Sequence, residues 1–150
     1  MPSDTRLSRM LHVLIHMDRH AGPVTSETIA GMLGANPVVV RRTMAGLKAA
    51  GYLTSVKGHG GGWTLTTPLD QITLRDIHEA LGSPRIFAIG LADDDPKCLV
   101  EQAVNAALAE TLDDAEKRLL ARFGEVTIGA IAHDFEHRMT EVCSGSPAEA

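Results

Sequence analysis

The order of secondary-structure signals within residues 26–68 constrains the fold of this chain more than any other feature. Two short helical patterns come first, and residues 34–37 (Gly-Ala-Asn-Pro) separate them. Two runs rich in β-branched and aromatic residues follow, at residues 52–57 and 63–67, with glycines between them. Runs of this kind around a glycine-containing loop predict a β-hairpin. The stretch therefore predicts a helix, a turn, a second helix and a hairpin, in that order.

Capping residues set the limits of the two short helices. Thr25 or Ser26 can cap the first helix, and Gly34 ends it where a left-handed residue is favoured. Asn36 caps the second helix, and Pro37 takes the first helical position, where a missing N–H costs nothing. The apolar positions of this second helix are spaced by four and by three, and they mark its buried face: Val40, Met44 and Leu47.

The complete layout is that of a winged helix-turn-helix, with the hairpin as the wing. Residues 58–62 contain four glycines, which indicates positive φ angles or a backbone that approaches another group closely. A nucleotide-binding phosphate loop is rejected, because the loop lacks the Lys-Ser/Thr ending and no helix start follows it. The expected fold class is mainly α with a small β-hairpin wing.

Further helices are predicted on both sides of this stretch. Residues 3–20 carry apolar side chains at helical spacing, with Ser3 placed to cap the helix. Thr73 caps a short helix that runs to Leu81. Near the C-terminus, Thr127 caps a last helix that extends to about Met139.

The longest helical pattern starts at the acidic residues 93–95 with Pro96 and ends at Phe123. Unbroken, it has about 28 residues and spans about 42 Å. Its apolar stripe needs a partner larger than a small domain, and the same helix of a second subunit is the simplest one. The alternative is two helices kinked near residues 109–113 and packed within one chain. The expected dimer interface comprises Val104, Leu108, Leu112 and Leu119.

These patterns divide the chain into four parts. Residues 1–82 form the winged helix-turn-helix, and residues 83–95 form a loop. Residues 96–141 hold the dimerisation helices, and residues 142–150 form a small, polar tail that we expect to be disordered.

Composition and charge narrow the class of protein. No apolar run approaches 18 residues, and the N-terminus lacks the apolar region of a signal peptide. Two distant cysteines do not make a secreted disulfide framework, so we expect a cytoplasmic protein without membrane contacts.

The net charge is −5, yet residues 1–68 carry seven Lys and Arg against three Asp and Glu. This basic half, joined to an acidic half, is typical of a polyanion-binding domain with a second function attached.

The second short helix is expected to enter the major groove of DNA with the face opposite its apolar residues. Val38, Arg41 and Arg42 are the candidates for contacts with base edges, because Arg can bind a guanine bidentately and Val can touch a thymine methyl. Lys48 lies farther along the helix, where a phosphate contact is expected. Further contacts with the DNA backbone are predicted for residues at the start of the first short helix and on the hairpin: Ser26, Thr28, Lys57, His59, Gly60 and Gly61.

The chain resembles the Rrf2 family of bacterial transcription regulators. The resemblance is carried by Val40-Arg41-Arg42, by residues 47–53 (LKAAGYL), by residues 58–65 (GHGGGWTL) and by residues 72–77 (ITLRDI). It implies a homodimer joined through the long helix, bound to double-stranded DNA at a palindromic operator, usually as a repressor.

The resemblance also concerns a sensing loop. Several members of the family hold a [2Fe–2S] cluster with three cysteines, but in this chain only Cys98 matches those positions. In this respect the sequence is similar to the cluster-free branch of the family, which keeps a single cysteine. One cysteine cannot hold a cluster alone, so no cofactor is expected. A cluster or metal sensor with non-standard ligands remains a minor alternative. Cys98 is either a redox-responsive thiol at a helix start or a small buried apolar residue, and Cys143 is taken to lie beyond the last helix.

Two histidine patterns have metal-ligand spacing, at His12, His16 and His20 and at His133 and His137. No Cys or carboxylate is placed by sequence to complete either set, so solvated faces are favoured and no metal site is assigned. No nucleophile–base arrangement indicates an enzyme. The remaining alternative is a winged-helix module that regulates by binding another protein, without a DNA site of its own.

Overall fold

A computed structural model of the chain describes residues 3–145, and it confirms the mainly helical fold with a hairpin wing. The elements are α1 (Arg6–Arg19), α2 (Ser26–Leu33), α3 (Pro37–Ala49), β1 (Leu53–Val56), β2 (Gly62–Leu65), α4 (Leu74–Ala80), α5 (Leu99–Phe123) and α6 (Ile128–Ser144), with a 3-10 turn at Leu69–Gln71.

Helices α1 to α4 enclose one apolar core, and each contributes buried side chains to it. Within α3, the side chains of Val40, Met44 and Leu47 are almost completely buried, as their spacing predicts. The first residue of α6, Ile128, is also completely buried in this core. Its N–H donates to the carbonyl of Ile72 at 2.8 Å, so the start of α6 is fixed to the N-terminal half of the chain.

The wing pairs antiparallel with itself and with the segment before α2. In the hairpin, Leu53 lies opposite Leu65 and Val56 opposite Gly62. Val24 forms an isolated bridge to Trp63, with N–H···O distances of 2.9 and 2.8 Å in the two directions. Gly62 has a φ of +147°, and a Cβ there would lie 2.6 Å from the carbonyl oxygen of Val24. Only a glycine therefore lets Val24 approach the wing this closely.

Helix α1 begins at Arg6, so the predicted cap at Ser3 is wrong. Thr5 holds the N-cap position without a side-chain hydrogen bond. The carboxylate of Asp4 instead accepts from the backbone N–H of Arg6 at 3.0 Å and from its guanidinium at 2.7 Å. This guanidinium lowers the pKa of Asp4 to about 2. A short-range Asp–Arg pair thus competes with continuation of the helix.

Helix α5 begins at Leu99, three residues later than the acidic run and Pro96 suggested. The Asp95 side chain accepts from the N–H of Lys97 at 3.2 Å, and its carbonyl accepts from the N–H of Cys98 at 2.9 Å. This turn keeps the acidic segment outside the helix. From Leu99 the helix is unbroken for 25 residues, or about 37 Å. The alternative of two helices kinked near residues 109–113 is therefore wrong.

Helix α6 continues to Ser144, beyond the expected end near Met139. The Thr127 hydroxyl caps it as predicted, accepting from the N–H of Ala130 at 3.1 Å. Cys143 lies in the last turn of this helix and is exposed, so its expected position beyond the helix is wrong. Of the expected tail, residues 142–144 are helical, and residues 146–150 lie outside the described part of the chain.

We expect Gly62→Ala to lower the free energy of unfolding by about 1–3 kcal/mol, because the new Cβ would be strained and would push Val24 from the wing. Urea unfolding would measure this change. The control is Gly31→Ala, at an exposed position in α2 with open space around it. That variant should gain about 0.5–1 kcal/mol. Equal stability of the two variants would contradict the proposed constraint.

Candidate nucleic-acid interface

The outer face of α3 carries the residues that were expected to contact bases. Asn36 caps the helix through its Oδ1, which accepts from the N–H of Val38 at 2.8 Å. Val38 is 57% exposed, and Arg41 and Arg42 are also exposed on this helix. The packed face fixes the rotation of α3, so these side chains point away from the core as the spacing predicts.

Arg41 forms an ion pair that the sequence does not reveal. Its Nη2 atom lies 3.0 Å from Oε1 of Glu27, in the first turn of α2. The pKa of Glu27 is lowered by a hydrogen bond from its own backbone N–H and by the Arg41 guanidinium. Both side chains are more than half exposed, and ion pairs of this kind contribute little to folding stability.

Three further basic side chains differ in whether they have a partner within the protein. The Lys48 ammonium donates to the hydroxyl of Ser55 at 2.8 Å, which joins the end of α3 to strand β1. Arg42 and Lys57 are exposed and have no carboxylate within 4 Å among residues 3–145. Arg42 and Lys57 can therefore approach a polyanion without first breaking an intramolecular ion pair.

The tip of the wing is a tight glycine turn. The N–H of Gly61 donates to the carbonyl of Gly58 at 3.0 Å, and Gly60 has a φ of +75°. A Cβ on Gly61 would overlap the carbonyl of Val56. The turn itself thus accounts for these glycines, while His59 and Lys57 remain exposed beside it.

Ser26 and Thr28 take part in contacts within the protein. Ser26 is buried, and its Oγ accepts from the indole N–H of Trp63 at 2.9 Å, which holds the wing against α2. The N–H of Thr28 donates to Oγ1 of Thr25 at 3.1 Å, so Thr25 is the cap of α2. The hydroxyl of Ser26 and the N–H of Thr28 already have partners. Sequence reasoning missed the Trp63 contact because 37 residues separate the two side chains.

A cleft of about 410 Å³ opens between the start of α2, α3 and the wing. Glu27, Arg41, Lys57 and Gly61 are among the residues that line it. The fold therefore brings together residues from three separate parts of the candidate interface, with Trp63 also lining the cleft.

Cys98, the candidate sensing residue, is the N-cap residue of α5, and it is half-buried. Within residues 3–145 no group of three or more His, Cys, Asp or Glu side chains could hold a metal ion. The rings of His12 and His16 stack with centroids 4.7 Å apart, and His137 lies 3.6 Å from the carboxylate of Glu141.

The long helix α5 contains no buried residue over its 25 positions. Val104 and Leu108 are 50% and 40% exposed, whereas Leu112 and Leu119 are half-buried. Leu112 lines a shallow depression with Phe87 of the preceding loop. Of the four predicted interface residues, two are thus open to a partner and two are partly covered by the chain itself.

Across the described residues, no helix has the length and apolarity needed to cross a membrane.

A helix-turn-helix with an exposed third helix, a wing beside it and a long appended helix defines the class of DNA-binding winged-helix regulators. The model of the Rrf2 family, described as an iron-dependent transcriptional regulator, matches residues 3–134. The HTH-type transcriptional regulator YwnA of Bacillus subtilis (strain 168) is 34% identical over 119 residues, which are 77% of this chain and 86% of YwnA.

Solved structures agree on the fold. A transcriptional regulator from Lactobacillus plantarum superposes with a TM-score of 0.76 at 24% identity, covering 93% of this chain and 95% of that one. IscR of T. potens gives a TM-score of 0.61 at 21% identity, covering 92% and 90%. The chain belongs to the Rrf2 family of transcriptional regulators. The expectation of a regulator and not an enzyme is thereby confirmed.

Proposed function

We propose that this protein is a sequence-specific DNA-binding regulator that acts in the cytoplasm as a homodimer on a palindromic operator, as a repressor. The observation that carries the proposal is the exposed first turn of α3 beside an anchored wing. A helix presented in this way can enter the major groove while the wing follows the adjacent backbone.

Within this proposal the interface residues have two kinds of role. Val38, Arg41 and Arg42 contact base edges, because they lie at the N-terminal end of α3 where recognition helices read the groove. The others position the protein on the DNA backbone, through side chains or main chain: Ser26, Thr28, Lys48, Lys57, His59, Gly60 and Gly61. The hydroxyl of Ser26 and the N–H of Thr28 already have partners within the protein. The role of these two residues is therefore limited to contacts from the protein main chain around them.

We further propose that residues 1–82 form the DNA-binding part and that residues 96–141 join two subunits through α5. The exposed stripe formed by Val100, Val104 and Leu108 supports this division. These residues recur every four positions and face one side of the helix. Pairing by a two-fold axis would cover the stripe and provide two α3 helices, one for each half-site of a palindromic operator.

For Cys98 we propose a redox response. The residue is half-buried at the start of α5, so small oxidants can reach it and a change there would act on the dimerisation helix. The thiolate would attack peroxide, form a sulfenic acid and release hydroxide from the broken O–O bond. The alternative role is that of a small apolar side chain.

The function is tested by selecting bound DNA from a random pool with the full-length protein. One sequence family with two-fold symmetry should be enriched, and its binding should weaken steeply as salt rises, because counterions are released at several phosphates. If the protein enriches no sequence and its binding to DNA does not depend on salt, the result would favour the alternative function, a winged-helix module that binds another protein.

Arg41→Ala should weaken binding to the selected operator by about 1–3 kcal/mol and relax the preference at one base pair of each half-site. Binding isotherms with the operator and with all variants of that base pair would measure both effects. Arg138→Ala, on the exposed face of α6, is the control and should bind as the wild type does. Unchanged operator affinity in Arg41→Ala would refute the assigned reading face.

Val104→Glu should dissociate the dimer, because it places two charges in the apolar contact between subunits. Sedimentation equilibrium would report the mass. Ala106→Glu adds the same charge on the opposite, exposed side of α5 and should stay dimeric. A dimeric Val104→Glu protein would show that this stripe is not the interface.

Mild peroxide should change operator affinity of the wild type but not of Cys98→Ser, and thiol reduction should reverse the change. Cys143→Ser is the matched control, because Cys143 is the other cysteine and is exposed at the end of α6. If wild type and Cys98→Ser respond alike, Cys98 is not the sensor.

A further inference from the structure

The pair between Arg41 and Glu27 connects the two helices of the helix-turn-helix at the edge of the interface. Fourteen residues separate the partners in sequence, and their atoms Nη2 and Oε1 are 3.0 Å apart. The same two side chains line the cleft between α2, α3 and the wing. Arg41 is therefore held by a group that itself faces the space where DNA is expected.

Glu27 lies at a position that favours a negatively charged partner for the guanidinium. It occupies the first turn of α2, where the helix dipole and the N–H groups favour a negative charge. Its own backbone N–H bonds to the carboxylate, and with Arg41 this lowers the pKa of Glu27. Both contacts favour the ionised form of the carboxylate.

The pair leaves Arg41 able to bind a base. A guanidinium has five N–H donors in a rigid fork, and Glu27 engages one of them. The remaining donors can bind guanine, while the anchored one restricts the rotamers of a long side chain before DNA arrives. Since both partners are exposed, the effect of the pair is on orientation more than on folding stability.

Glu27 also has a consequence of the opposite sign. It is the acidic side chain among the residues lining the cleft, and its charge repels the phosphates of every DNA sequence. A residue that weakens binding to all DNA and orients the base-reading side chain raises the difference between correct and incorrect sites.

We propose that Glu27 is a positioning residue that holds Arg41 for base recognition and increases sequence discrimination at the expense of overall affinity. This role rests on the proposed DNA-binding function. It adds a specificity-determining residue outside the recognition helix.

The test compares affinities of the full-length protein for its selected operator and for a duplex of the same length with permuted sequence. Glu27→Ala should bind the permuted duplex more tightly, and the affinity ratio should fall about tenfold, within the range of one bidentate base contact. Glu27→Gln removes the same charge but keeps an oxygen that can accept from Arg41, so it should retain more of the ratio. Asp18→Asn, an exposed position on α1, is the charge-matched control and should leave the ratio unchanged.

A second comparison uses the Arg41→Ala background, where Glu27→Ala should no longer change the ratio. Repulsion alone would raise affinity for both duplexes equally and leave the ratio as it is in the wild type. An unchanged ratio in Glu27→Ala, or the same decrease with and without Arg41, would overturn the positioning role while the protein still recognised its operator. A wild-type protein that enriches no sequence would refute the proposed function, and this role with it.

Discussion

The backbone bridge between Val24 and Trp63 is the interaction on which the candidate interface depends. A two-stranded hairpin alone is marginal in water, and here the bridge attaches it to the segment that leads into α2. The Trp63 indole then bonds to Ser26. These contacts turn a hairpin and two helices into one surface, and the absence of a Cβ at Gly62 is the condition for all of them.

Charge acts on this surface in two ways. Arg42 and Lys57 are exposed without a nearby carboxylate in residues 3–145, so they can approach DNA without first breaking an ion pair. Arg41 and Lys48 are oriented by Glu27 and Ser55. Each of these hydrogen bonds restricts a long side chain to fewer directions before any DNA is bound.

Most helix limits near the interface could be predicted because their signals are local. Asn36 and Pro37 start α3, and Thr73 starts α4 with a capping box completed by Asp76. The starts of α1 and α5 were mispredicted because the carboxylates of Asp4 and Asp95 bond to nearby N–H groups and form turns in place of helix starts. The same residue type favours both outcomes, so composition at a helix start does not distinguish them.

The sequence by itself determined the order of elements, the buried face of α3 and membership in a family of regulators, because periodicity, caps and motifs are written within short stretches. Only the tertiary structure decided which side chains meet: Trp63 with Ser26, Arg41 with Glu27, and Ile128 with the core of the N-terminal half. Such contacts join residues far apart in the chain, and their geometry is set by how the helices pack together. No local pattern records that packing.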